Sequence, residues 1–316
     1  MTEAPEQRTS LRSLTDLVEV VPTLLGFHPT DSLVLVALDN GRVELAARVD
    51  LDVTGGHRTA TALRPVWQRL PHASHVLIAY SDDAERSWWA LDDVAATIPQ
   101  GCPRTVLHAD GGRWYSDPDD AGTPYDRLGS VHLARAAWDG RPVRRSRAEL
   151  VELTRPGRTP AEVTASLERV AAREATLRDV VSEAMALVVG HDEAPGDLEI
   201  DEATILCLAS HDPVFLEEVL LGTTRANAAV RVALWAQVVR ASVPNCAGAA
   251  LVALGLAGWV DGEGAIQSVC LEALAERPGP AEWVGLLDAI NADAVHPDEW
   301  EGIRARLRDE GVATAS

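Results

Sequence analysis

Lysine is absent from the 316 residues, so all 28 basic side chains are arginine. Without an ammonium side chain there is no P-loop lysine, no Schiff-base lysine and no lysine general base. Lysine acetylation and lysine-linked protein tagging are excluded too, the α-amino group apart. Phenylalanine is nearly missing: two Phe and three Tyr stand beside nine Trp. Tryptophan is therefore the anchor expected for helix contacts or an interface. The four cysteines, Cys102, Cys207, Cys246 and Cys270, are scattered. They form neither a disulfide framework nor a zinc pattern, and reduced thiols in a cytoplasmic protein are the expectation. The longest apolar run, 247–260, is too short to span a bilayer and holds three Gly. Residues 1–10 are polar and lack the apolar region of a signal peptide. Positive charge is in deficit: 48 acids leave a net charge of −20. That balance argues against general nucleic-acid binding, which needs a basic face, and against docking on anionic membranes. No G-x-S-x-G elbow is present, and Gly55-Gly56 and Gly111-Gly112 lack the spacing of a dinucleotide loop.

What remains is the composition of a globular protein, 47% hydrophobic and 24% charged, with length for about two domains. Charge is unevenly spread. Residues 191–202 (HDEAPGDLEIDE) hold six carboxylates and no cation, which reads as a solvated acidic linker. Residues 135–158 hold seven Arg against Asp139, Glu149 and Glu152. They read as a solvated helix face, or as a segment that docks on an acidic surface.

The chain is organised around residues 22–38. Pro22 ends an apolar helical segment, 10–21, for which Ser10 is a plausible N-cap. Leu33 to Leu38 follows a short loop as a strand buried on both faces. Asp39-Asn40-Gly41 signals a hairpin, with 43–51 as the returning strand. Helices at 57–70 and 84–97 alternate with strands at 75–80 and 104–108, then a short edge strand at 113–115. This alternation predicts a mainly parallel sheet with one antiparallel hairpin. Residues 116–128 read as a loop. Beyond Thr159 only helices are expected: a long one over 160–189, then 200–210, 213–222, 226–241, 245–258, 263–277, 280–291 and 297–309. The pair 245–277 carries a degenerate tetratricopeptide pattern. The expected architecture is an α/β sheet domain over 1–155 followed by an all-helical domain over 156–316, a helical repeat or an irregular bundle.

The stretches PTLLGFHPTDSLVLV (22–36), RVDL (48–51), GGRWYS (111–116) and the segment 249–279 resemble an actinobacterial family of uncharacterised proteins, domain of unknown function family 4192. The resemblance covers nearly the whole chain. After Ser116 it fails: many members of that family carry a Cys-rich stretch where this chain has DPDDAGTP, so no metal or redox role carries over. The resemblance implies an actinobacterial cytoplasmic protein and no particular activity.

Candidate site residues fall in two groups. Asp50 and Asp52 end the second strand, Asp82 and Asp83 follow the third, and Asp110 follows the fourth. Ligands of open α/β sheets bind outside the carboxyl ends of strands, and such carboxylates suit Mg²⁺. Asp82 also reads as a helix N-cap and Asp110 as a turn residue. His28, in the 26–31 loop, is a ligand contact or a packing residue. Ser32 caps a turn or meets an anion. His72 and His75 straddle a strand start and are expected at the surface. The second group is Trp235, Trp259, Trp283 and Trp300, spaced 24, 24 and 17 residues apart. They read as one packing anchor per helical hairpin, or as a groove that grips a partner. The leading expectation is a non-catalytic protein-interaction or regulatory module whose helical half meets a protein partner, with no cofactor, metal, nucleic acid or membrane. The alternative is a metal-dependent hydrolase or nucleotide-binding enzyme with its site at the Asp-tipped strand ends.

Overall fold

The computed structural model describes residues 13–51, 56–141, 143–173, 176–243 and 246–314. The expected Ser10 cap, Asp52 and Gly55 lie outside these residues. The chain divides into two compact units, 1–147 and 148–316; the Pro-Gly stretch after Arg155 suggested a division at 155/156. Helix α5 (Arg147–Leu153) buries Leu150, and the Thr154 carbonyl that follows accepts from Arg277.

In the first unit, helix α1 (Leu14–Leu25) is capped by Ser13, whose Oγ accepts from the Asp16 N–H at 3.1 Å. Pro22 lies inside this helix and does not end it; Gly26, at φ +75°, does. Strands β1 (Ser32–Asp39) and β2 (Arg42–Asp50) form the expected hairpin, with Asn40 and Gly41 at φ +49° and +76°. Then come α2 (Gly56–Arg69), β3 (Ser74–Tyr80), α3 (Ala84–Ala95), β4 (Arg104–Ala109), β5 (Arg113–Tyr115), the two-residue β6 (Thr123–Pro124) and α4 (Val131–Trp138).

The sheet order is β2-β1-β3-β4-β5-β6. Only the β3–β4 pair among these neighbours is parallel, which corrects the mainly parallel expectation. Both β2 and β3 run antiparallel to β1 and so point the same way, with β1 between them. The β2–α2–β3 connection is a crossover, as the strand–helix–strand rhythm implied, but it skips over β1. Helix α3 packs on β3 and β4, α2 on β1 and β2, and α1 pairs with α4. His75, expected at the surface, is fully buried in β3 with both ring nitrogens unpartnered.

The second unit contains helices only, among its described residues. The long helix expected over 160–189 is two: α6 (Pro160–Ala171) and α7 (Leu177–Glu193), each opened by a capping box, Thr159 with Glu162 and Thr176 with Asp179. Helices α8 (Ile200–Ala209), α9 (Pro213–Leu221), α10 (Ala228–Ala241), α11 (Gly248–Asp261), α12 (Gly264–Glu276), α13 (Ala281–Ala292) and α14 (Trp300–Thr314) follow. Every residue of α11 from Gly248 to Val260 is buried, with α9, α10, α12 and α13 around it. No described helix is long and apolar enough to cross a membrane.

Candidate functional site

The strand directions gather four chain segments at one edge of the sheet. Ser32, at the start of β1, pairs with Asp50 at the end of β2 and with Tyr80 at the end of β3; Tyr80 pairs with Ala109 at the end of β4. The loop entering β1, the loops leaving β3 and β4, one face of α1, and residues 125–127 line a cavity of about 380 Å³. Val18, Pro22 and Ala109 give it apolar walls, and Glu19, Asp31, Asp82, Asp83, Asp110 and Asp126 bring carboxylates.

Local chemistry explains how α1 and β3 meet. Proline has no N–H, so Pro22 cannot donate to the carbonyl four residues back. That carbonyl belongs to Val18, and the Tyr80 hydroxyl donates to it at 3.0 Å. The bond is buried, and burial pushes the Tyr80 pKa well up. Asp31 holds a left-handed backbone at φ +42°, which Asp tolerates better than most residues. Its carboxylate accepts from Ser81 Oγ at 2.7 Å and its carbonyl from the Leu51 N–H at 2.8 Å.

Most of the carboxylates are committed to the chain itself. Asp83 caps α3 through the Arg86 N–H at 3.0 Å; the N-cap is Asp83, one residue after the Asp82 expected. Asp110 accepts from the Gly112 and Arg113 N–H groups at 2.8 and 2.7 Å and from the Tyr115 hydroxyl at 2.9 Å. Burial alone raises its pKa, but these bonds outweigh burial and hold the carboxyl below its ordinary value. Asp126 accepts from Leu128 and Gly129, and Glu19 accepts from the Asp126 N–H. Tyr125 donates to the Asp110 carbonyl at 2.6 Å, and burial lifts its pKa to about 12.

Three groups in the wall are uncommitted. Asp82 is exposed and makes no hydrogen bond or ion pair among the described residues, and Arg127 makes none either. His28 is 9% exposed, and its Nδ1 has no partner. Burial, then the nearby Arg127 charge, lowers its pKa and keeps the ring neutral near pH 7.

Of the strand-end candidates, the structure thus brings His28, Asp82 and Asp110 to one cavity. Ser32 and Asp50 stay off it. Ser32 is fully buried, donating to the Thr30 carbonyl at 2.7 Å and accepting from Arg48 Nε at 2.8 Å. The Asp50 side chain is 80% exposed and pairs with the same Arg48 at 2.6 Å. Among the described residues no group of three or more His, Cys, Asp or Glu is placed to hold a metal ion. Tyr80, Tyr125, Arg127, Glu19, Asp31 and Asp126 were not foreseen. A proline inside a helical-period segment was the readable signal for Tyr80, because it implies an orphan carbonyl four residues earlier. The turn-rich 116–128 segment carried no signal for Tyr125 or Arg127.

The tryptophan group is placed differently from the groove expectation. Trp235, Trp259, Trp283 and Trp300 are all buried. Trp259 Nε1 donates to the Val295 carbonyl at 3.1 Å and Trp300 Nε1 to the Thr223 carbonyl at 2.8 Å. Their rings meet edge to face at 6.0 Å. A second cavity, about 430 Å³, lies in this unit between Arg158, Asp197, Gln237 and Arg240; Gln237 there bonds the Gly196 carbonyl and the Leu198 N–H.

No curated protein and no solved structure matches the chain. A family match runs over residues 15–298, through the sheet-edge cavity and most of the helical unit, and on that extent the chain belongs to the family described as Domain of unknown function (DUF4192).

Proposed function

We propose that this protein binds a small molecule in the sheet-edge cavity. The observation that carries the reading is the cavity itself: about 380 Å³, at the carboxyl ends of a parallel strand pair, with polar groups converging on an apolar wall. That volume is in the range of small-molecule sites, and the position follows the strand-end rule for open sheets. This favours the broader form of the strand-end alternative over the helical-half module, since the four Trp of that module face inward. The test is calorimetry against a panel of nucleotides, sugars, amines, carboxylic acids and amino acids. A Cβ at Gly111 meets only Asp82 Oδ1 at 4.0 Å, so Gly111→Phe is tolerated by the backbone and places a ring at the cavity wall. Binding by the wild type that Gly111→Phe abolishes supports the site; a ligand indifferent to that change sinks it.

Contact with a protein partner is a second reading, supported at another place. Val131 and Trp138 lie seven residues apart on one face of α4 and are 72% and 87% exposed, beside the exposed Leu128. Trp138→Ala is expected to remove partner capture without changing ligand binding, and unchanged capture would count against it.

A further inference from the structure

Six carboxylates reach the cavity, but five are engaged by the fold. Asp31 accepts from Ser81, Asp83 caps α3, Asp110 accepts three hydrogen bonds, Asp126 holds its own turn, and Glu19 holds the Asp126 N–H. Among the described residues, two charged wall groups make no hydrogen bond or ion pair: the Asp82 carboxylate and the Arg127 guanidinium. Asp82 and Arg127 carry opposite charge in one cavity and make no ion pair with each other.

We propose that the ligand is a zwitterion of amino-acid type, its ammonium held by Asp82 and its carboxylate by Arg127. The inference rests on the small-molecule reading above. An ammonium offers three N–H donors. The two oxygens of the Asp82 carboxylate accept from them. A guanidinium fork matches a carboxylate geometrically. Other charge types fit less well. A simple amine leaves Arg127 unanswered and adds a like charge beside it. A phosphate-bearing ligand places its anion among six carboxylates. The zwitterion neutralises both unpaired charges at once, and the walls of Val18, Pro22 and Ala109 remain for an apolar stem.

The experiment is calorimetry on the full chain with the twenty L-amino acids. Each binder is compared with its decarboxylated amine and its deaminated acid, alongside the nucleotides and sugars of the wider panel. At least one amino acid is expected to bind, with the matching amine and acid each weaker by about tenfold or more, the scale of one lost charge-assisted hydrogen bond. Asp82→Asn weakens the amino acid and the amine but not the acid. Arg127→Gln weakens the amino acid and the acid but not the amine. Both positions are solvent-accessible, and unchanged melting temperatures confirm that the variants fold. An amine or acid that binds as well as its parent, or two variants that bind like wild type, overturns the zwitterion. If only a nucleotide or sugar binds, and Gly111→Phe abolishes it, the zwitterion falls while the cavity reading stands. If nothing in the panel binds, both fall.

Discussion

Single residues carry more of this fold than their surroundings suggest. Tyr80 and Pro22 are coupled by an absence: the proline removes a donor from Val18, and the phenol supplies one. Tyr80→Phe is expected to cost about 1–3 kcal/mol, the penalty of a buried carbonyl left without a partner. Pro22→Ala restores an N–H four residues after Val18, so in the Tyr80→Phe background it should recover most of that loss. Urea unfolding of the two single variants and the double variant checks the coupling; purely additive effects would refute it. Asp192 offers a second case. It sat in a stretch that read as a solvated linker, yet it pairs with the buried Arg231 at 2.8 Å, while Arg231 also reaches the Val219 carbonyl. Asp192→Ala leaves that guanidinium buried without its counter-charge and is expected to cost about 3 kcal/mol, again read from the urea midpoint. Asp201, in the same stretch, accepts from Arg169 and Ser166, and these bonds draw its pKa down to about 2. Composition alone could not separate these two acids from their solvated neighbours, because both partners lie more than thirty residues away in the chain.

At the scale of elements, hydrophobic period and turn chemistry located most strands and helices, and capping refined their ends. The start of a separate helix α7 was readable in Thr176-x-x-Asp179, a capping box set inside an otherwise continuous helical period. The Asn40-Gly41 turn set β1 antiparallel to β2, but a strand buried on both faces looks the same whichever way it runs, so β1 gave no hint that it is also antiparallel to β3. Of the carboxylates singled out by the strand-end rule, Asp82, Asp83 and Asp110 line the cavity, whereas Asp50 lies off it. Arg48 and Asp50 share one side of β2, two residues apart, and Arg48 ties both Asp50 and Ser32 to itself. In the helical unit, the tight α11–α12 contact depends on missing side chains. A Cβ at Gly258 would lie 2.6 Å from Ile266 Cβ and Cγ2. Gly258→Ala should therefore destabilise by about 1–3 kcal/mol, although alanine is the better helix former. A thermal melt that shows no loss would mean that α12 shifts freely against α11.

At the scale of the molecule, acid sensitivity follows from where imidazoles are stored. His28, His75, His108 and His191 are all buried, and burial lowers the pKa of each below the ordinary value of 6.5. Nearby carboxylates oppose that shift at His108 and His191 without reversing it. Their folded pKa values lie below their unfolded ones, so the unfolded chain binds protons first as the pH drops. The stabilisation is fully present above about pH 6.5 and is lost as the pH falls through the interval beneath it. The carboxyl groups act lower: Asp110 and Asp201 have depressed pKa values, and their contribution disappears only below about pH 4. Melting temperature should thus fall in two steps from pH 8 to pH 3, the first in the histidine range despite the relief of self-repulsion in a chain of net charge −20. His75 is the sharpest probe, because neither of its ring nitrogens has a partner to lose. His75→Leu removes a titrating group and no hydrogen bond, so it should shrink the loss between pH 7.5 and 5.5 while leaving the step below pH 4 intact. A wild-type melting temperature that is flat from pH 8 to 5.5 would show that these imidazoles exchange protons with solvent in the folded state.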